Sequence, residues 1–226
     1  MVFYNHRLIE RKWKDSEDRI IPGGRRSYPE ELLKCYGYDV MSVWSSLHSD
    51  ADPDDDELEG IFRFLNRVFT VYTDRCGEAA AAGEIENDAG DTMVYDILTA
   101  SRQVPVLMKY SRQPEIFGRR VLEKYTVMLS PYAPFMCQEM WSGLGHSGFV
   151  SGEEKPGYDR SRVIAEIPVE VNGRYRATIR VPLDSPEEAV LEEALRTLGV
   201  SGAEDIEEHF FVRNRVINII TKVTEQ

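Results

Sequence analysis

The stretch VIAEIPVEVNGRYRATIRVP, residues 163–182, alternates apolar and polar side chains on either side of Asn172-Gly173, the two-residue period of half-buried strands. Asn-Gly first suggests a two-residue type I′ hairpin turn. That register pairs Val171 with Arg174 and Val169 with Arg176, putting charge and hydrocarbon on one face. A three-residue loop, Val171-Asn172-Gly173 closed by a glycine bulge, avoids the conflict. It pairs Val169 with Tyr175, Ile167 with Ala177, Ala165 with Ile179 and Val163 with Val181. One face is then wholly apolar. The other presents Glu166, Glu170, Arg174, Arg176 and Arg180 to solvent or to a ligand.

Downstream, Ser185-Pro186-Glu187-Glu188 reads as a capping box with proline at the first helical position, and Gly199 ends a helix whose Leu191, Ala194, Leu195 and Leu198 cover the hairpin. Short strands near 209–213 and 215–221, joined by a turn at Arg213-Asn214-Arg215, complete a ββαββ unit. Upstream, GLGHSGFVSGEEKPGYDRSR (143–162) is rich in Gly, Ser and charge and marks a domain boundary.

Before that boundary the period is helical. Pro29-Glu30-Glu31 starts a helix, Gly37 ends it, and Asp39 caps a second through Val40, Val43, Trp44 and Leu47. Leu58, Ile61, Phe62, Leu65, Val68, Phe69 and Tyr72 form one buried stripe, after an acidic loop from Asp50 to Glu59. Residues 76–91 read as a flexible inter-helix loop, and Pro105 divides or kinks the helix that follows. Further helices begin at Pro114 and Pro134, with Phe135, Met136, Met140 and Trp141 assigned to the core and His146 to a polar loop. The fold class is therefore a mainly α helical bundle followed by a small α+β domain (ββαββ). It divides into an N-terminal arm (1–28), the bundle (29–148), a linker (149–162) and the α+β domain (163–226).

Two hundred and twenty-six residues are enough for one large domain or two smaller ones, and 39 acidic against 27 basic side chains give a net charge of −12. Any nucleic-acid contact must therefore be local. The charge is uneven, with +3 over residues 1–26, −11 over 27–160 and −4 over 161–226. No apolar run reaches the length of a membrane span and no secretory signal opens the chain, so a cytoplasmic protein without membrane contact is expected. Cys35, Cys76 and Cys137 lie too far apart for a paired-cysteine zinc site and read as reduced thiols. The acidic run lacks the glycine and bidentate glutamate of a calcium loop, so neither a metal nor a cofactor is expected.

Three ordered segments resemble leucyl-tRNA synthetase, a class I aminoacyl-tRNA synthetase, over roughly its last quarter. PEELLKCYGYDVMSVWSSL (29–47), followed by DDDELEGIFRFLNRVF (54–69), looks like the entry to that family's anticodon-binding helix bundle. LSPYAPFMCQEMWSGLGHSG (129–148) is similar to its last bundle helices. VEVNGRYRATIRVP (169–182), with RVINIIT (215–221), resembles its C-terminal domain. Where the family carries the Lys-Met-Ser-Lys-Ser loop that stabilises charge on ATP, this chain reads DRIIPGGRRSY (18–28), with no lysine. The arm thus reads as a degenerate remnant of the catalytic domain's end. By the resemblance, the nucleotide-binding fold and the editing domain would lie upstream of this stretch. No ligase activity is expected from this chain alone, and no catalytic residue is assigned.

The resemblance implies tRNA contacts at seven arginines. Arg63 and Arg67 stand on the polar side of their helix, a position that equally suits a solvated or ion-pairing face. Arg174, Arg176 and Arg180 cluster on the hairpin face, and Arg213 and Arg215 extend that patch. Two readings follow. One is a leucyl-tRNA synthetase-like protein that grips tRNA of the leucine type, alone or as partner of a separate catalytic chain. The other is a repurposed protein-interaction module that no longer binds RNA.

Overall fold

A computed structural model of the chain describes residues 30–48, 53–78, 88–199 and 206–221. The arm 1–28 and residues 79–87 lie outside the described residues. Seven α-helices and four strands are described: α1 Glu30–Leu47, α2 Asp55–Glu78, α3 Asp88–Thr99, α4 Gln103–Tyr110, α5 Arg119–Leu129, α6 Pro134–Gly143, β1 Ile164–Val171, β2 Arg174–Pro182, α7 Glu187–Leu198, β3 Ile206–Val212 and β4 Val216–Thr221. The chain divides into two compact units, residues 1–86 with 96–156, and residues 87–95 with 157–226. Among the described residues no helix is long and apolar enough to cross a membrane.

In the first unit, Gly37 breaks α1 with φ 79° and ψ 168°, a conformation that needs no Cβ. The expectation that Asp39 caps its own helix is corrected. Its carboxylate instead caps α6, with Oδ1 accepting from the Phe135 N–H at 3.2 Å and Oδ2 from the Met136 N–H at 2.7 Å. The N-terminus of α6 begins with proline and has no local side-chain cap, so the acceptor comes from about 96 positions earlier in sequence. Burial is the larger influence on Asp39 and raises its pKa, against the two backbone hydrogen bonds that lower it.

The expected acidic loop is also shortened. Asp55, Asp56 and Glu57 form the first turn of α2, where carboxylates meet the positive end of the helix dipole, and the Asp54 carboxylate accepts from the Asp56 N–H. Likewise α2 runs to Glu78 and α3 starts at Asp88, so both ends of the expected loop 76–91 are helical. α2 buries more than the predicted stripe: Phe64 is fully buried beside Leu58, Phe62 and Leu65, because the helix packs against α1, α5 and α6. Pro105 falls in the first turn of α4, where an N–H would lack an intrahelical partner anyway, and the break precedes it at 100–102.

In the second unit, the sheet order is β2-β1-β4-β3, with β1 parallel to β4 and the other pairs antiparallel. The predicted hairpin register is overturned. Val171 does pair with Arg174 across a two-residue turn, with Asn172 at φ 51° and Gly173 at φ 72°, the two positive values of type I′. A bulge resolves the conflict that ruled this register out. Glu170 pairs with Tyr175 but Val169 pairs with Ala177, so Arg176 is an extra residue and the apolar rows realign as Ile167 with Ile179 and Ala165 with Val181. The capping box is not formed. Pro186 is the N-cap residue without a side-chain cap, and the Ser185 hydroxyl donates to the Pro182 carbonyl instead. α7 covers one sheet face through Val190 and Ala194 against Ile167, Ile179, Ile217 and Ile219.

Candidate nucleic-acid interface

The bulge that restores the apolar face also separates the predicted arginine cluster. Arg180 stays on the open face, with its Nε 3.9 Å from Glu166 Oε1 across the strand pair. Arg176 turns to the helix side, where it borders a groove of about 170 Å³ lined by Leu195, Leu198, Ile206 and Ile219. Arg174 sits at the tip of the hairpin opposite Val171, on the helix side by register. The expectation of three arginines on one face is thus corrected, because one inserted residue reverses the alternation beyond it.

Arg213 and Arg215 do not extend that hairpin tip either. Since Val169 stands beside Ile217 and Val171 beside Ile219, the β3–β4 turn lies level with the early part of β1. It is therefore about 13 Å along the strand from Arg174 at 3.3 Å per residue. What the turn does join is a group that the sequence reading passed over. Asp184 and Asn214, both in left-handed conformations (φ 63° and 57°), hydrogen-bond reciprocally at 2.8 Å: the Asp184 N–H to Asn214 Oδ1, and Asn214 Nδ2 to Asp184 Oδ1. The Arg160 guanidinium donates to Asp184 Oδ2 from Nε at 3.1 Å and from Nη2 at 2.6 Å. Hydrogen bonds from Arg160 and Asn214 hold the Asp184 carboxyl below its ordinary pKa, helped by the charges of Arg160 and Arg213. The signal for this group was the pair of Asx residues at loop positions, which tolerate positive φ. Nothing local indicated that they meet, 30 residues apart.

In the first unit, Arg63 donates from Nε to Glu59 Oε1 at 2.9 Å, an i,i+4 ion pair on an exposed surface. Arg67 is not on a fully polar side. Its Nε is buried without a hydrogen-bond partner among the described residues, and its charge reaches the buried Tyr125. His146 is not a free loop residue: its ring stacks on Trp141 at 3.7 Å and 10°, and Nε2 lies 2.9 Å from Glu123 Oε1. Phe135 is not core but 68% exposed, edge-on to the exposed Tyr38. Cys137 is buried and its thiol is pushed well above its ordinary pKa by that burial. Among the described residues no group of three His, Cys, Asp or Glu side chains is placed to hold a metal ion.

The arrangement is that of a helical unit joined to a small mixed sheet with arginines at its loops, and comparison with known proteins places it. Residues 117–191 match the family model "Anticodon-binding domain of tRNA ligase". Over 93% of its length the chain is 27% identical to the leucine–tRNA ligase of Chlorobium chlorochromatii, and over 98% it is 25% identical to that of Fervidobacterium nodosum. It covers 29% and 31% of those proteins, so it spans less than a third of the relatives it matches. Among solved structures it resembles the LeuRS of Agrobacterium radiobacter, determined in a ternary complex with tRNA and LeuAMS. The TM-score is 0.63 at 18% identity, over 88% of this chain and 30% of that one, a likeness of fold. In class, then, the chain is aminoacyl-tRNA synthetase-like. More particularly, it is similar to the C-terminal part of leucyl-tRNA synthetases.

Proposed function

We propose that the chain is a tRNA-binding, leucyl-tRNA synthetase-like module, built from an anticodon-binding-type bundle (29–148), a linker (149–162) and a ββαββ domain (163–226). It grips RNA of the leucine type by backbone and shape rather than by reading bases, alone or with a separate catalytic chain in leucine-tRNA aminoacylation. The observation that carries this reading is the β3–β4 turn, where the Arg160–Asp184–Asn214 bonds hold Arg213 and Arg215 at an exposed loop. Arginine suits phosphate because its planar fork donates two hydrogen bonds at once. Arg174, Arg176 and Arg180 then act as separate contacts and not as one patch. Arg63, already paired with Glu59, contributes least, and Arg67 acts within its helical unit.

The test is tRNA binding across about 50 to 200 mM salt, with a long-variable-arm tRNA and one without, for wild type and for Arg213→Ala/Arg215→Ala. Each lost phosphate contact lowers the slope of log K against log salt by about 0.7 to 0.9, so the double variant should flatten it by one to two units. Absence of wild-type binding at 50 mM overturns the reading. The second reading, a protein-interaction module without RNA binding, is favoured by one observation: the exposed Tyr38–Phe135 pair, with ring centroids 5.4 Å apart.

A further inference from the structure

Among the described residues of the second unit, α7 covers one side of the sheet and none covers the other. Ile217 and Ile219 are buried under α7, so the alternation of β4 puts Val216, Asn218 and Ile220 on the other face. The β3 register adds Val212 opposite Val216, Phe210 opposite Asn218 and Glu208 opposite Ile220. Phe210 is 54% exposed and Val212 49%, the two large apolar side chains left open on this strand pair. An exposed phenylalanine in mid-strand costs solubility and contributes little to its own core.

Charge along this face is graded. The Arg213–Arg215 turn closes the end next to Val212 and Val216, and Arg180 lies towards the same end on β2. The acidic residues of the face are Glu166, tied to Arg180, and Glu170 and Glu208 towards the far end. A ligand that complements this gradient is anionic at the turn and flat and apolar one or two residues along. An RNA segment with unstacked bases has that chemistry, since its phosphates are regularly spaced and every base offers a π-face.

We infer that the open sheet face is a stacking platform for an unpaired base of the bound RNA, with Phe210 under the base and Arg213 and Arg215 on the flanking phosphates. The inference rests on the tRNA-binding reading above and adds a second kind of contact to it. Phosphate gripping is salt-dependent, whereas stacking is not, so the two separate experimentally.

The experiment is tRNA binding by the full chain over the same salt range, for wild type, Phe210→Ala, Phe210→Leu and Phe210→Trp, with light scattering and a urea midpoint for each. Stacking predicts that Phe210→Ala and Phe210→Leu weaken binding about 5- to 150-fold with the salt slope unchanged, and that Phe210→Trp keeps wild-type affinity. Affinity within twofold of wild type for Phe210→Leu, in a protein with an unchanged urea midpoint, overturns the platform and leaves the arginine-based reading standing. Equal weakening by Phe210→Trp and Phe210→Ala also overturns it, since any aromatic should serve. Loss of a self-associated species in Phe210→Ala, with tRNA affinity unchanged, assigns the face to a second copy instead. No tRNA binding by wild type removes both the platform and the reading under it.

Discussion

Replacing Asp39 tests a helix cap supplied from about 96 positions away in sequence. The carboxylate is 4% exposed and accepts two backbone N–H groups at the start of α6, which has no other side-chain cap. Removing an N-cap costs about 0.5 to 2 kcal/mol, and each buried donor left unsatisfied costs about 1 to 3 kcal/mol. The relief of an unfavourably buried charge offsets part of this, because desolvation raises the Asp39 pKa. The net expectation is a loss of about 2 to 3 kcal/mol for Asp39→Ala. Asp39→Asn keeps one acceptor and drops the charge, and should lose about 1 kcal/mol. With a urea m-value of about 2 kcal/mol/M, the alanine midpoint falls by about 1 to 1.5 M. Fluorescence of the buried Trp44 and Trp141, on α1 and α6, reports the transition. The pH dependence has a definite sign. A carboxyl whose folded pKa is raised binds its proton more tightly when folded, so wild type loses this stability as pH rises from the ordinary carboxylate range through the raised value. The deficit of Asp39→Asn is therefore smaller at pH 7 than near pH 4. A midpoint shift below about 0.3 M for Asp39→Ala, or an asparagine variant as damaged as the alanine one, would refute the reasoning.

Three further outcomes follow from the second unit. Asp184 has a depressed folded pKa, so its stabilisation is present above the ordinary carboxylate value and is lost as pH falls through the lowered one; Asp184→Asn should flatten the acid limb of an unfolding profile, and Arg160→Ala should do the same. Gly173→Ala meets no atom within 4 Å, so its cost is backbone strain alone at φ 72°, about 1 to 2 kcal/mol by chemical denaturation. Ile217→Ala removes a fully buried side chain between β4 and α7 and should cost about 2 to 5 kcal/mol, whereas Val212→Ala on the open face should stay within about 0.5 kcal/mol of wild type.

Much of the fold was legible because it rests on local periodicity. The helical period of α2, the prolines that open α6 and precede α7, and the alternation of β1 and β2 are all written in neighbouring residues. The hairpin register is not, although Asn172-Gly173 offers the right turn: the pairing of Val169 with Arg176 argues against it, and one bulged residue removes that pairing while keeping the turn. The bulge leaves no signature here, because Tyr175, Ala177, Ile179 and Val181 continue the two-residue apolar alternation straight through it, although Tyr175 is exposed and the others face α7. The candidate site suffered most from this, since the facing of Arg174, Arg176 and Arg180 depends on parity and a single insertion reverses it.

By itself the sequence determined the element types, the change of period between a helical part and a sheet part, and the resemblance to leucyl-tRNA synthetase carried by three ordered segments. Those rest on interactions within a few residues of each other, where side-chain chemistry is enough to decide. The tertiary structure alone decided that Asp39 caps α6, that Asp184 and Asn214 clasp each other beside two arginines, and that Phe210 faces solvent. Each depends on residues brought together from distant positions or on which face of a sheet a helix covers. Neither is encoded in spacing, because the hydrogen bonds and burial that fix them exist only once the chain has closed on itself.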